Sequence, residues 1–269
     1  MVNRGYRSIT PLILFALILL LGFLVIGSPF ESIFYPAIFL MTLVFQTLAD
    51  MSFKSLGIDF PSGWKKSTLT HYSVAMILVS FHVVVATTIG GLLVSSPTIF
   101  PLEAMTLLIM AQVAQFGVGF FEEYTFRGYM LTATEIHGQK VSIFISSISF
   151  ASLHVFGVLP YGYPIESIIV FIINMFLGGV ALALIRLRTS SLIPPIAFHA
   201  SWNFFGYHVF GLMESEIALF ETTYLMPDIL VGFELGLIST AVFAVLILLL
   251  ILAKSRNKKL ACDSQEITV

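Results

Sequence analysis

Residues 104–128 read AMTLLIMAQVAQFGVGFFEEYTFRG. The stretch from Ala104 to Phe121 holds no charged residue, and no proline follows until well past Ile136. One helix is therefore expected to run on through Glu122, Glu123 and Arg127. Such a run is long enough for a bilayer, because ~20 residues at ~1.5 Å each cross a hydrocarbon layer of about 30 Å.

Outward from this stretch, assigned to about 104–134, seven more apolar runs of similar length stand near 11–28, 33–50, 71–95, 141–159, 165–185, 191–211 and 229–253. The expected fold is an all-α integral membrane protein: an eight-transmembrane-helix bundle around a polar intramembrane cavity. Residues 1–269 form a single polytopic membrane domain with a core at about 104–211 and a polar cytoplasmic tail at 254–269. Composition agrees, since 58% of residues are apolar and 10% charged, against the ~25% charge of soluble domains. Arg4 and Arg7 precede the first run as in a signal peptide, but no small-x-small cleavage signature follows, so a retained helix is expected.

Loop charge sets the orientation, because Lys and Arg collect in cytoplasmic loops. With eight spans, Arg4, Arg7, Lys54, Lys65, Lys66, Lys140, Arg186, Arg188, Lys254, Arg256, Lys258 and Lys259 all fall on one side. Seven or nine spans would scatter them. Loops around 29–32, 96–103, 160–164 and 212–228 contain no Lys or Arg. Both termini are thus expected in the cytoplasm, and the compact chain suits a prokaryotic plasma membrane. A net charge of -2 without a basic stripe excludes nucleic acid as a partner. The single cysteine, Cys262, excludes a disulfide framework and a cysteine zinc site, and it stands too far from Val269 to be a prenylation box.

Ionisable residues inside membrane helices are costly and mark function by default. Glu123 and Arg127 stand at i,i+4 in the favourable acid-before-base order, which predicts an intrahelical ion pair. Glu122 lies about 100° around the helix, without a local partner and free to accept a proton. His154 sits in the fifth run, and His199 and Asn203, again i,i+4, in the seventh. Counted at ~1.5 Å per residue from the cytoplasmic ends, Glu122, His154 and His199 lie about 24, 20 and 17 Å deep, which places them in one band. His82 is expected to pack or to bond between helices, and Asn174 to cross-link helices. His71 and His137 fall at helix ends.

At these residues the sequence resembles the CAAX protease and bacteriocin-processing family (CPBP, the type II CAAX prenyl endopeptidases or ABI family). That family's pattern is Glu-Glu-x-x-x-Arg, Phe-x-x-x-His and His-x-x-x-Asn or Asp, in that order, on three membrane helices. Glu122-Glu123 with Arg127, Phe150 with His154, and His199 with Asn203 match it, as do the flanking Phe126-Arg127-Gly128 and Pro194. The resemblance implies an intramembrane endopeptidase whose cavity opens toward the cytoplasm and whose substrate is membrane-bound, such as a prenylated CAAX protein or a bacteriocin leader peptide. Under it, Glu122 acts as general base on a water held with His154, and His199 and Asn203 bind the oxyanion. The Glu123-Arg127 pair shapes the helix and steers a substrate carboxylate. The family is often labelled metalloprotease, so zinc on Glu122, His154 and His199 is the rival chemistry, although His-Glu-x-x-His is absent. Two other readings stay open: a proton-coupled transporter, which lacks the expected internal repeat, and a non-proteolytic immunity or binding factor of the same family.

Overall fold

The computed structural model describes residues 4–25, 33–95, 102–213 and 218–266. Every predicted apolar run contains a helix: α1 (Arg4–Val25), α2 (Phe34–Leu48), α3 (Trp64–Thr88), α4 (Leu102–Glu123), which continues through a π turn (Tyr124–Met130) into α5 (Leu131–Thr134), α6 (Gln139–Val158), α7 (Ile165–Thr189), α8 (Ile193–Asn203), which continues as a second π turn (Phe204–Val209), and, beyond the short α9 (Asp228–Val231), α10 (Leu237–Glu266). Gly138, at φ +95°, reverses the chain between the turn after α5 and α6, a conformation that only glycine adopts at little cost.

Four helical stretches, Trp64–Thr88, Ala104–His137, Gln139–Tyr161 and Ile165–Thr189, are long and apolar enough to cross a membrane, and Ile9–Val25, Phe34–Leu48 and Leu237–Ala253 are shorter apolar helices. Their outward faces carry Leu12, Leu40, Val84, Ile109, Phe144 and Leu248, each more than half exposed. Water would penalise such a surface, whereas lipid accepts it. The protein is an integral membrane protein.

The short α8 lies innermost, with Pro194 through Asn203 all buried. Its two prolines occupy the first turn, where a missing N–H leaves no hydrogen bond unmade. The helix packs mainly against α3 and α4, while α7 packs against α6 and α10. One buried apolar cluster joins α1, α2, the first π turn and α6 through Ile18, Ile38, Tyr129 and Phe150. Another joins α3, α7, α8 and α10 through Val79, Leu182, Trp202 and Phe243.

The structure departs from the expected fold in two places. The run at 71–95 ends as helix at Thr88, and Leu92–Val94 form β1, paired antiparallel with β2 (Thr222–Tyr224) in the register Leu92 to Tyr224. The run at 229–253 is broken at Gly232–Gly236 by a tight loop, in which a Cβ on Gly236 would lie 2.7 Å from the carbonyl oxygen of Gly232. The expected loop at 29–32, most of that at 96–103 and residues 214–217 of the last loop lie outside the described residues.

Candidate active site

Glu122 and Glu123 close the last turn of α4, just before the backbone widens into the π turn. Arg127 Nη1 donates to Glu123 Oε1 at 2.9 Å, with both side chains wholly buried, as the i,i+4 spacing predicted. The guanidinium carbon lies 4.2 Å from the centroid of the Phe150 ring, so an aromatic face shares the charge. Gly179 on α7 leaves the space, since a Cβ there would meet Arg127 Nη2 at 3.3 Å.

His199, on the inward face of α8, places Nδ1 2.9 Å from the same Glu123 Oε1. One carboxylate oxygen therefore receives a guanidinium and an imidazole N–H together. His154 Nδ1 lies 2.8 Å from the carbonyl oxygen of Phe150, four residues back on α6. A carbonyl only accepts, so this nitrogen carries the proton and His154 Nε2, in the neutral ring, is an acceptor.

Those two anchors decide what faces Glu122. Its Oε2 lies 3.8 Å from His154 Nε2 and 3.7 Å from His199 Nε2, beyond hydrogen-bond range. It is buried and makes no hydrogen bond among the described residues. Three groups that accept when the rings are neutral thus converge from three helices, with no donor between them. A proton donor or a cation at that point would satisfy all three.

Glu122, His154, His199 and Asn203 wall a cavity of about 200 Å³ together with Phe150 and Trp202. Asn203 is turned away from the carboxylates and donates to Gln115 Oε1 at 3.1 Å. Glu123 and Arg127 stand behind the wall and form no part of it. Both side chains are wholly buried, and Glu123 reaches the cavity wall through His199. His82 meets the backbone oxygen of Val231 at 3.0 Å and Ser239 Oγ at 3.2 Å, the inter-helix role expected of it.

As they stand, no three His, Cys, Asp or Glu among the described residues are placed to hold a metal ion. The separations of 3.7 and 3.8 Å are wider than the edge of about 3.3 Å that ~2.0 Å bonds give a tetrahedral zinc shell. The donor types fit, and the side chains would need to draw in by about half an ångström.

Residues 104–205 match the family described as Type II CAAX prenyl endopeptidase Rce1-like. That stretch is similar to the CAAX protease family. The matched stretch runs from α4 to the second π turn and carries all six candidate residues, whereas comparison with curated proteins gives no match.

Part of the cavity comes from outside the matched stretch. Glu234, in the loop before α10, is 4% exposed and sits at φ +61°, a left-handed conformation costly for a residue with a side chain. Its Oε1 accepts from Trp202 Nε1 at 2.8 Å and its Oε2 from Tyr207 Oη at 3.0 Å, while its carbonyl oxygen accepts from Asn174 Nδ2 at 2.8 Å. Sequence reasoning passed over Glu234, Tyr207 and Gln115. The available signal was a carboxylate at the start of an apolar run.

Proposed function

We propose that the protein is an intramembrane endopeptidase that cleaves membrane-associated proteins with a water activated by Glu122. The observation that carries this reading is the convergence of Glu122 Oε2 with two histidine Nε2 atoms in a buried cavity. A water between Glu122 and His154 would donate one proton to each. As its oxygen attacks the scissile carbonyl carbon, Glu122 takes up the proton and the carbonyl electron pair moves to oxygen. Asn203 Nδ2–H and the Nε2–H of a protonated His199 meet that oxyanion. Protonation of His199 follows from charge balance, because two carboxylates and one guanidinium leave one net negative charge in a dry site. Glu122 then returns its proton to the leaving amine as the carbon–nitrogen bond breaks. Glu123, braced by Arg127, orients His199 through Nδ1.

Glu122→Gln keeps the shape and removes the base, so cleavage should be abolished while the protein folds as before. Comparing protein termini in membranes from cells with the wild type and with Glu122→Gln checks this. Near-normal turnover in that variant, with Glu123→Gln dead but well folded, would reverse the roles of the two carboxylates.

Zinc is the second reading, favoured by the anchored Nδ1 atoms, since metal-bound histidines keep their other nitrogen tied to an acceptor. Glu122, His154 and His199 would hold the ion, which would lower the pKa of a bound water. Under the first reading, activity survives exhaustive chelation and purified protein carries far less than one zinc per chain. Stoichiometric zinc lost together with activity in His154→Ala would select the second. The transporter and non-proteolytic readings both predict no Glu122-dependent fragment.

The charge asymmetry supports eight crossings of a plasma membrane with both termini in the cytoplasm, α1, α2, α8 and α10 adding to the four long spans.

A further inference from the structure

The seam between α4 and α8 carries two side-chain hydrogen bonds, one on each side of a close crossing. At Gly119 a Cβ would lie 3.3 Å from the carbonyl oxygen of Ile196 and 3.5 Å from the amide nitrogen of Ala200, so the helices pack backbone to backbone there. After the crossing on α4, Glu123 accepts from His199 Nδ1 at 2.9 Å; before it, Gln115 accepts from Asn203 Nδ2 at 3.1 Å. The helices run antiparallel, which matches the earlier α4 residue to the later α8 residue. Gln115 stands seven residues before Glu122, about two turns back on the same face, and both wall the cavity with His199 and Asn203.

The two bonds are alike in chemistry. Each α4 side chain takes one N–H of an α8 side chain and leaves that residue one more nitrogen function: Nε2 in His199, the second N–H of Nδ2 in Asn203. A primary amide can sit either way round, and His208 decides it for Gln115. Gln115 Nε2 lies 3.0 Å from His208 Nε2, in the second π turn. An amide N–H only donates, so that imidazole nitrogen accepts. Turned end for end, Gln115 would set two N–H groups face to face at Asn203.

We propose that Gln115 is a positioning residue: with its own amide fixed by His208, it holds Asn203 with an N–H ready for the oxyanion, as Glu123 holds His199. This rests on the protease reading above, in which Asn203 is an oxyanion donor. Gln115 is given no contact with the reacting atoms, so its loss acts only through Asn203.

The test uses the membrane protein whose new terminus appears fastest in the wild type and is missing in Glu122→Gln. That protein, purified intact from the Glu122→Gln cells, is given to purified full-length variants. Gln115→Met keeps the unbranched shape and removes the acceptor. Its kcat should fall about 10- to 100-fold, the scale of a misplaced group. KM and thermal unfolding should stay near wild type, because the oxyanion contact exists only in the transition state. Asn203→Ala should slow kcat by ~10²- to 10³-fold, as for a lost oxyanion donor. Adding Gln115→Met to Asn203→Ala should then change nothing further. An unchanged kcat, a loss confined to KM, or a Gln115→Met factor that persists in Asn203→Ala overturns the positioning role and leaves the protease reading intact. Should Gln115→Met unfold, His208→Phe, which removes the acceptor for Gln115 Nε2, is put through the same cycle with the same expectation. If the wild type yields no Glu122-dependent terminus, the protease reading falls and the positioning role with it.

Discussion

Glu123 Oε1 receives Arg127 and His199 at 2.9 Å each, so one oxygen holds a guanidinium and aims an imidazole. Replacing Glu123 with Gln keeps the shape but strands Arg127 in a dry site, a change that costs about 3–5 kcal/mol for a buried pair. Thermal unfolding in detergent should show Glu123→Gln well below the wild type and Glu122→Gln close to it. Equal stability of the two variants would mean that the Arg127 charge is balanced elsewhere. The Glu123-Arg127 contact was legible in the sequence, because four helical residues bring two side chains onto one face. The His199 contact was not, since 76 residues separate it from Glu123 and no periodicity fixes which helices meet. The depth count came nearer: it placed Glu122, His154 and His199 in one band, and they do converge. Glu234 escaped because its importance lies in a backbone conformation and two tertiary partners, neither written in neighbouring residues.

Among the elements, the second π turn and the loop before α10 depend on one close contact. A Cβ on Gly206 would lie 2.3 Å from the Phe233 ring. That ring is fully buried, stacked on Trp202 at 5.0 Å and edge-on to His82 at 5.6 Å. Gly206→Ala should therefore push Phe233 out, carry Glu234 with it and cost roughly 1–3 kcal/mol, the usual scale of overpacking. Limited proteolysis should then cut more readily within 225–236. Gly117→Ala, where a Cβ meets nothing within 4 Å, should leave the pattern unchanged. The element boundaries show why this contact was invisible beforehand. Apolar runs located the helices but gave no sign that Gly232 and Gly236 fold the chain back into the bundle. The β1–β2 ribbon was missed for a similar reason: each strand has three residues, and the pairing of Leu92 with Tyr224 spans about half of the chain.

For the whole molecule, orientation is the quantity on which the rest turns. A reporter fused after Lys259 should read as cytoplasmic, and one inserted at Gly162, in the turn between α6 and α7, as extracytoplasmic. If both read alike, the number of crossings is wrong. The fold class was the most legible property, since lipid-facing positions such as Val84, Ile109 and Leu248 are apolar for a reason that composition reports directly. The buried turn from Tyr124 to Met130 packs beside the cavity without lining it, which leaves no through-passage among the described residues on that side. On the endopeptidase reading, a segment would enter, be cut once, and both pieces would have to back out before another could bind. Cleavage would be distributive, and each released fragment would compete with the next substrate. Added product peptide should raise the apparent KM and leave kcat unchanged.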